Sequence, residues 1–357
     1  MLLSAVLCIA QPPQGQNGGP RPQGQGGQRR PEMPVESDYP QAHDPVVAEC
    51  DGKFYVFTTG FGVSIMVSDD MKVWKNAGSV FQNPPQWALD SVPGYRGHTW
   101  APDILYHNGT WYLYYSCSSF GKNSSAIGVA TNKTLNQDDP DYKWVDHGMV
   151  IASTPGKDDW NAIDPNAVID DDGNAWLCFG SFWSGIKMVK LDATLTKVDE
   201  SQPLISLCYR PANTLPDYDE KNDSALKLDE RGDIYNPGNG AVEAPFIYKK
   251  LGWYYLFVSY DLCCRGEKST YKVVVGRSKD VKGPYVDKNG KPLMEGGGTI
   301  VVQGNARYAG AGHSATVDFG GWDYLFFHAY DMQDASRSHL IIREIDWDED
   351  NWPSVKL

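Results

Sequence analysis

His43-Asp44-Pro45, then Gly52, then Phe54-Tyr55-Val56-Phe57: this stretch decides the fold, because its pattern returns four more times. Trp100-Ala101-Pro102 leads to Gly109 and Trp111-Tyr112-Leu113-Tyr114-Tyr115, and Asp164-Pro165-Asn166 leads to Gly173 and Trp176-Leu177-Cys178-Phe179. Glu243-Ala244-Pro245 precedes Gly252 and Trp253-Tyr254-Tyr255-Leu256-Phe257, and Gly312-His313-Ser314 precedes Gly321 and Tyr324-Leu325-Phe326-Phe327. Counting back from the glycines to Asp44, Trp100, Asp164, Glu243 and His313 gives 8, 9, 9, 9 and 8 positions. A unit that recurs at a spacing of tens of residues is the mark of a radially repeated architecture.

Each unit reads as a short antiparallel sheet. Val46-Val47-Ala48, the Asp51-Gly52 turn, Phe54 to Phe57 and Ser64 to Val67 supply three strands, and a fourth ends near Trp74 or Val80. In the later units Ile127 to Ala130 precedes Trp144, Ile186 to Val189 precedes Leu195, Val273 to Val275 precedes Tyr285, and Leu340 to Ile342 precedes Trp352. No segment shows sustained helical periodicity. The expected fold is all-β, a five-bladed β-propeller; a β-sandwich would not explain five returns of one pattern.

The 357 residues are 41% hydrophobic, enough for a substantial core, and carry a formal net charge of −13. That charge speaks against nucleic acid or an anionic membrane as partner, since polyanions are bound by Lys and Arg. Residues 2–10 resemble the apolar part of a secretory signal lacking its basic leader, and are too short for a span of about 20 apolar residues. Secretion or a periplasmic location is expected, with Cys8 a weak lipid-anchor candidate. Residues 11–37 are a Gln/Gly/Pro-rich linker without the apolar content to fold, and residues 38–357 form the propeller. Cys208 to Asn239 reads as an insertion on one propeller face. Cys117 and Cys178 are expected as buried thiols. A bridge between the adjacent Cys263 and Cys264 is sterically awkward, which argues against pairing them. Asp170 to Asn174 lacks the spaced ligands of a calcium loop and reads as a hairpin turn.

The innermost strands of a propeller line its axis, so the opening positions of the five units converge. They carry three carboxylates, one histidine and one tryptophan. Facing acids beside an aromatic ring push at least one pKa upward. A protonated carboxyl next to an ionised one can then work as general acid and general base, the equipment for cleaving a glycosidic bond. Taken singly, each acid could be no more than a turn former, Asp-Pro being a common turn pair.

His43-Asp44-Pro45, Ile163-Asp164-Pro165 and Val242-Glu243-Ala244-Pro245 resemble the three signatures of glycoside hydrolase family 43. The likeness runs from about Asp38 to the C-terminus. Trp100-Ala101-Pro102-Asp103, Gly180-Ser181-Phe182-Trp183-Ser184-Gly185, Cys263-Cys264-Arg265-Gly266 and Gly310-Ala311-Gly312-His313-Ser314 resemble its endo-α-1,5-L-arabinanases. The resemblance implies a five-bladed propeller and hydrolysis of arabinan with inversion. It implies Asp44 as general base, Glu243 as general acid and Asp164 as the carboxylate that tunes and orients the acid. For inversion the Asp44 and Glu243 carboxyls are expected roughly 6.5–9.5 Å apart. His313 matches the family position associated with a largely water-coordinated Ca²⁺, an odd set for an ion that prefers oxygen ligands. No organic cofactor is implied. Trp100 and Phe120 are candidates for stacking on arabinose rings, and Asn166 and Ser181 for hydroxyl contacts. A monomer is expected. Exo-acting α-L-arabinofuranosidase or β-xylosidase activity with the same three acids, and a non-catalytic carbohydrate-binding propeller, stay open.

Overall fold

The computed structural model describes residues 36–211 and 241–357, with the backbone of two short paired strands, Lys227–Leu228 and Ile234–Asn236. The apolar stub 1–10, nearly all of the linker 11–37 and most of the Cys208–Asn239 insertion lie outside the described residues.

Five sheets surround one axis. Blade 1 runs from Val46–Cys50 at the axis through Lys53–Thr58 and Ser64–Ser68 to Trp74–Ser79. Blade 2 uses His98–His107, Thr110–Cys117, Ser125–Asn132 and Val145–Ser153. Blade 3 uses Asn166–Ile169, Ala175–Phe179, Ile186–Lys190 and Ile205–Cys208. Blade 4 uses Val242–Lys250, Trp253–Tyr260, Lys272–Ser278 and Thr299–Gln303. Blade 5 has three strands of its own, Tyr308–Phe319, Trp322–Asp331 and Arg337–Glu344. All pairings are antiparallel, and Asp170 to Asn174 is the hairpin turn expected of it, with Asp170 N–H bonded to the Asn174 carbonyl.

The second strand of each blade is an unbroken apolar run because both of its faces are buried, and its side chains alternate between two neighbours. Trp111, Leu113 and Tyr115 pack with Tyr55, Phe57 and Ile65 of blade 1, whereas Tyr114 packs with Leu177, Phe179 and Val189 of blade 3. Cys178 and Met188 meet Leu256 and Val258, Tyr255 and Phe257 meet Leu325 and Phe327, and Phe326 returns to Val47 and Val56. Each fully buried Leu or Phe contributes about 1.5–3 kcal/mol. The wedges between blades are thus the core.

The ring closes through its N-terminal segment. Gln41 bridges His339, Ala42 N–H donates to Ser338 O, and Leu340 N–H donates to Pro40 O, so Pro40–Ala42 stands where blade 5 needs a fourth strand. The expectation of a fourth strand near Trp352 is corrected: the C-terminal residues form their own pair, Asp346–Trp347 with Pro353–Ser354, and Val355 N–H bonds to Val301 O of blade 4. The outer strands of blades 3 and 4 lie later than Leu195 and Tyr285, because chain excursions precede them. One short helix, Gln86–Ser91, stands between blades 1 and 2.

Candidate active site

Where the chain enters each inner strand, one residue adopts a left-handed conformation: Asp44 (φ 53°), Ala101 (φ 41°), Asp164 (φ 57°), Ala244 (φ 54°) and His313 (φ 51°). Such backbone is costly for non-glycine residues and persists where neighbours hold it. Here the neighbour is the preceding blade. Thr59 Oγ1 accepts Ala101 N–H (2.8 Å), Ser116 Oγ accepts Asp164 N–H (3.0 Å) and Ser259 Oγ accepts His313 N–H (2.9 Å). His328 Nδ1 accepts Asp44 N–H (3.1 Å) and closes the circle.

This ring corrects the register expected from the repeats. Trp100 and Glu243 sit one residue before the shared left-handed position, paired with Ser116 and Ser259 on the second strands. Bulges between Trp100 and Asp103 and between Glu243 and Phe246 re-aim these side chains. In blade 3 the position matching Thr59, Ser116, Ser259 and His328 is Gly180, whose N–H donates to Ile163 O. A Cβ there would stand 2.6 Å from Gly185 O. The missing acceptor is replaced by Asp164, whose Oδ2 takes Ala244 N–H at 3.1 Å.

Asp44, Asp164 and Glu243 are 8%, 6% and 8% exposed, so all three carboxyls are removed from bulk water. Asp44 Oδ1 lies 2.8 Å from His43 Nδ1 and 3.1 Å from His313 Nδ1, and Oδ2 accepts the Thr59 hydroxyl at 2.6 Å. Burial opposes its charge, but the two imidazoles outweigh burial and hold the carboxyl well below the usual range. Glu243 Oε2 accepts the Ser181 hydroxyl at 2.6 Å, and the Tyr271 hydroxyl bonds it as well. Burial nevertheless lifts its pKa above the ordinary glutamate value. Asp164 is raised well above the aspartate value, first by burial and then by the charges of Glu243 and Asp44, against the lowering effect of His313. His313 loses solvation, yet the three acids raise it to about 9, so its ring carries charge at neutral pH.

Of the expected substrate contacts, Trp100 is half-buried at the mouth, its Nε1–H donating to His98 Nδ1 at 2.8 Å. Phe120 is 62% exposed. Phe61, which sequence reasoning missed, is 66% exposed and meets His98 edge-on at 5.2 Å, because Gly60–Phe61 pairs with His98–Thr99. Ser181 is buried against Glu243. Asn166 is buried between blades, donating to Asp103 Oδ1 (3.1 Å) and accepting Ile247 N–H (2.8 Å), a strut where a hydroxyl partner was expected. His43, Thr59, Tyr271 and His328 were also missed. A hydroxyl residue following three of the five aromatic runs, at Thr59, Ser116 and Ser259, was the available signal.

For a cation, His43, Asp44 and His328 bring potential ligand atoms within 4.8 Å of one another. Asp44 Oδ1 and His328 Nδ1 are already engaged with His43 and the Asp44 N–H. At His313 the surrounding acids favour positive charge, but one imidazole is a sparse donor set for calcium and would have to give up its proton to ligate it, so water would make up most of the shell. The charge fits a cation on those terms.

A carboxyl whose pKa is lowered beside two whose pKa values are raised, buried together at the axis of a five-bladed propeller, is an arrangement suited to a glycoside hydrolase. The family model for glycosyl hydrolases family 43 matches residues 39–353. The extracellular exo-α-(1→5)-L-arabinofuranosidase ArbA of Cellvibrio japonicus is 45% identical over 313 residues, covering 88% of this chain and 86% of that protein. The extracellular endo-α-(1→5)-L-arabinanase 1 of Bacillus subtilis is 41% identical over 316 residues, covering 87% of each. The crystal structure of an exo-1,5-α-L-arabinanase from a bovine ruminal metagenomic library superposes with a TM-score of 0.81 at 46% identity, covering 92% of this chain and 100% of that one. The chain belongs to glycosyl hydrolase family 43.

Proposed function

We propose that the protein is a secreted hydrolase of α-1,5-linked arabinan that inverts anomeric configuration in one displacement. The observation that carries this reading is the opposed proton affinity of Asp44 and Glu243. Asp44, held ionised by His43 and His313, takes a proton from the attacking water. Glu243, whose hold on its proton burial strengthens, gives that proton to the departing glycosidic oxygen. Asp164 orients the acid through the Ala244 peptide. After turnover Asp44 holds a proton and Glu243 has lost one, and exchange with solvent resets both. Trp100 and Phe120 offer flat faces to arabinose rings.

Endo attack is the first reading: the exposed ring of Phe61, joined through His98 to Trp100, offers a surface on which an internal stretch of chain can lie, and Phe120 is a further exposed ring. An exo mode is the second, favoured by the two exo-acting proteins among the relatives. Brief digestion of debranched arabinan separates them. Mixed oligosaccharides with a fast fall in viscosity mean endo action, and arabinose or one short product from the outset means exo action. Turnover confined to aryl α-L-arabinofuranosides or β-xylosides sinks the arabinan reading.

A Ca²⁺ held by His313 and water belongs to the same proposal. When bound, in place of the His313 proton, it would supply positive charge that favours the ionised form of Asp44. Chelation is expected to lower activity and added Ca²⁺ to restore it; an unchanged rate after verified metal removal rejects the requirement.

A further inference from the structure

Between the second and third strands of blade 4 the chain makes a compact loop, Asp261–Tyr271. It is tied by Thr270 and Tyr271 N–H to Leu262 O, and by Arg265 N–H to Ser269 Oγ. Within it, and against the sequence expectation, Cys263 and Cys264 are joined by a disulfide, the one such bond among the described residues. The ring this closes restricts the backbone of both residues, and Cys264 is left-handed (φ 65°).

The loop touches one proposed catalytic carboxyl directly and reaches the other through two side chains. At one end, Tyr271 hydrogen-bonds Glu243. At the other, Cys264 N–H donates to the Tyr330 hydroxyl at 2.8 Å, and Cys264 Sγ lies 3.8 Å from His43 Nε2. The Tyr330 oxygen is also 2.8 Å from His43 Nε2, while His43 Nδ1 faces Asp44 Oδ1 at 2.8 Å. With its own oxygen accepting from Cys264, Tyr330 donates to Nε2, which leaves the His43 proton on Nδ1, directed at Asp44. The chain of contacts is therefore Cys264, Tyr330, His43, Asp44. Packing leaves the loop little room: a Cβ on Gly312 would stand 2.1 Å from the Tyr271 ring, and one on Gly310 2.4 Å from Ser269 Cβ.

We propose that the Cys263–Cys264 disulfide is a positioning element of the active site, holding this loop so that His43 is set against Asp44 and Tyr271 against Glu243. The inference rests on the assignment of those two carboxyls as base and acid. It makes turnover redox-sensitive. Both cysteines are half-buried and within reach of a small reductant, whereas the other described cysteines, half-buried Cys50 and buried Cys117, Cys178 and Cys208, are free thiols with nothing to reduce. A water-soluble phosphine delivers two electrons to the S–S bond; two protons complete the two thiols, and the phosphine becomes its oxide with an oxygen from water.

The experiment compares the full chain before and after phosphine treatment, with alkylation and mass spectrometry counting the new thiols and circular dichroism checking the fold. Reduction is expected to lower kcat on linear arabino-oligosaccharides by on the order of tenfold to a hundredfold, with KM held and kcat regained on reoxidation. The Cys263→Ser/Cys264→Ser double variant is expected to start low and ignore the phosphine. Tyr330→Phe, which cuts the link while keeping the disulfide, is expected to have reduced kcat and a smaller further loss on reduction. Unchanged kcat in an enzyme shown to be reduced overturns the proposal. So does an equal proportional loss on reduction in Tyr330→Phe and the parent, or alkylation of Cys263 and Cys264 as free thiols in the untreated enzyme. Turnover of linear arabinan by the untreated enzyme tests the assigned function separately.

Discussion

Asp164 Oδ2 accepts the N–H of Ala244 at 3.1 Å, and Ala244 immediately follows Glu243. The third carboxyl therefore grips the backbone beside the proposed acid, at the one joint where Gly180 leaves the usual hydroxyl acceptor absent. With its pKa raised, Asp164 is expected to work as an acceptor more than as a charge. Asp164→Asn keeps an amide oxygen for Ala244 N–H, whereas Asp164→Ala removes it. The asparagine variant is accordingly expected to retain more kcat than the alanine variant, with the difference on the order of tenfold. Equal kcat in the two, measured on linear arabino-oligosaccharides, would count against the backbone role.

Glu243→Gln removes the proton donor while preserving size and a partner for Ser181. Folding is expected to be intact and kcat on arabinan to fall by roughly 10²–10⁴-fold. Aryl arabinofuranosides with acidic phenol leaving groups need less protonation, so any activity on them is expected to suffer less. A uniform loss across leaving groups would remove Glu243 from the acid role.

Much of this was readable before any coordinates, because the repeats encode it directly. The continuous apolar runs specify second strands, and the Asp-Pro and Ala-Pro dipeptides mark the entry to the inner strands. The off-by-one placement of Trp100 and Glu243 was not readable: a bulge adds a residue to one strand without changing the composition of the pattern. The longer Asp170–Asn174 turn disguised it by giving blade 3 the same spacing of nine. Ring closure by Pro40–Ala42 also escaped, since three residues carry no periodicity and their pairing with Ser338–Leu340 spans nearly 300 positions. Asn166 looked like a ligand contact because an amide beside a catalytic signature has the right chemistry. Only burial against Asp103 and Ile247 reveals the strut.

Ser181 offers a test by pH. Its hydroxyl stabilises the Glu243 carboxylate and so draws down a pKa that burial has raised. Removing it takes away a lowering influence, so Glu243 should hold its proton to higher pH. Activity needs Glu243 protonated, and the alkaline limb of kcat/KM for Ser181→Ala is expected to move upward, with the acid limb, governed by Asp44, left in place. A downward shift of the alkaline limb would mean that the hydroxyl supports the protonated acid instead.

Ring closure gives the last prediction. Asp331 of blade 5 accepts the Tyr39 hydroxyl at 2.7 Å and the Arg307 guanidinium at 2.7 and 3.1 Å, tying the closing segment to the sheet it completes. These donors hold its carboxyl well below the ordinary aspartate range. A folded-state pKa below the unfolded one gives stability that is complete above the unfolded value, about 3.9, and disappears as pH falls through the folded value. Asp331→Asn loses the charge on these bonds, a cost of about 1–3 kcal/mol with Arg307 largely solvated. Its Tm is expected below that of the parent at pH 7, and the gap to narrow as the pH drops below about 4. A gap that widens with acid would show that the Tyr39–Asp331–Arg307 contact is not what charge at this joint secures.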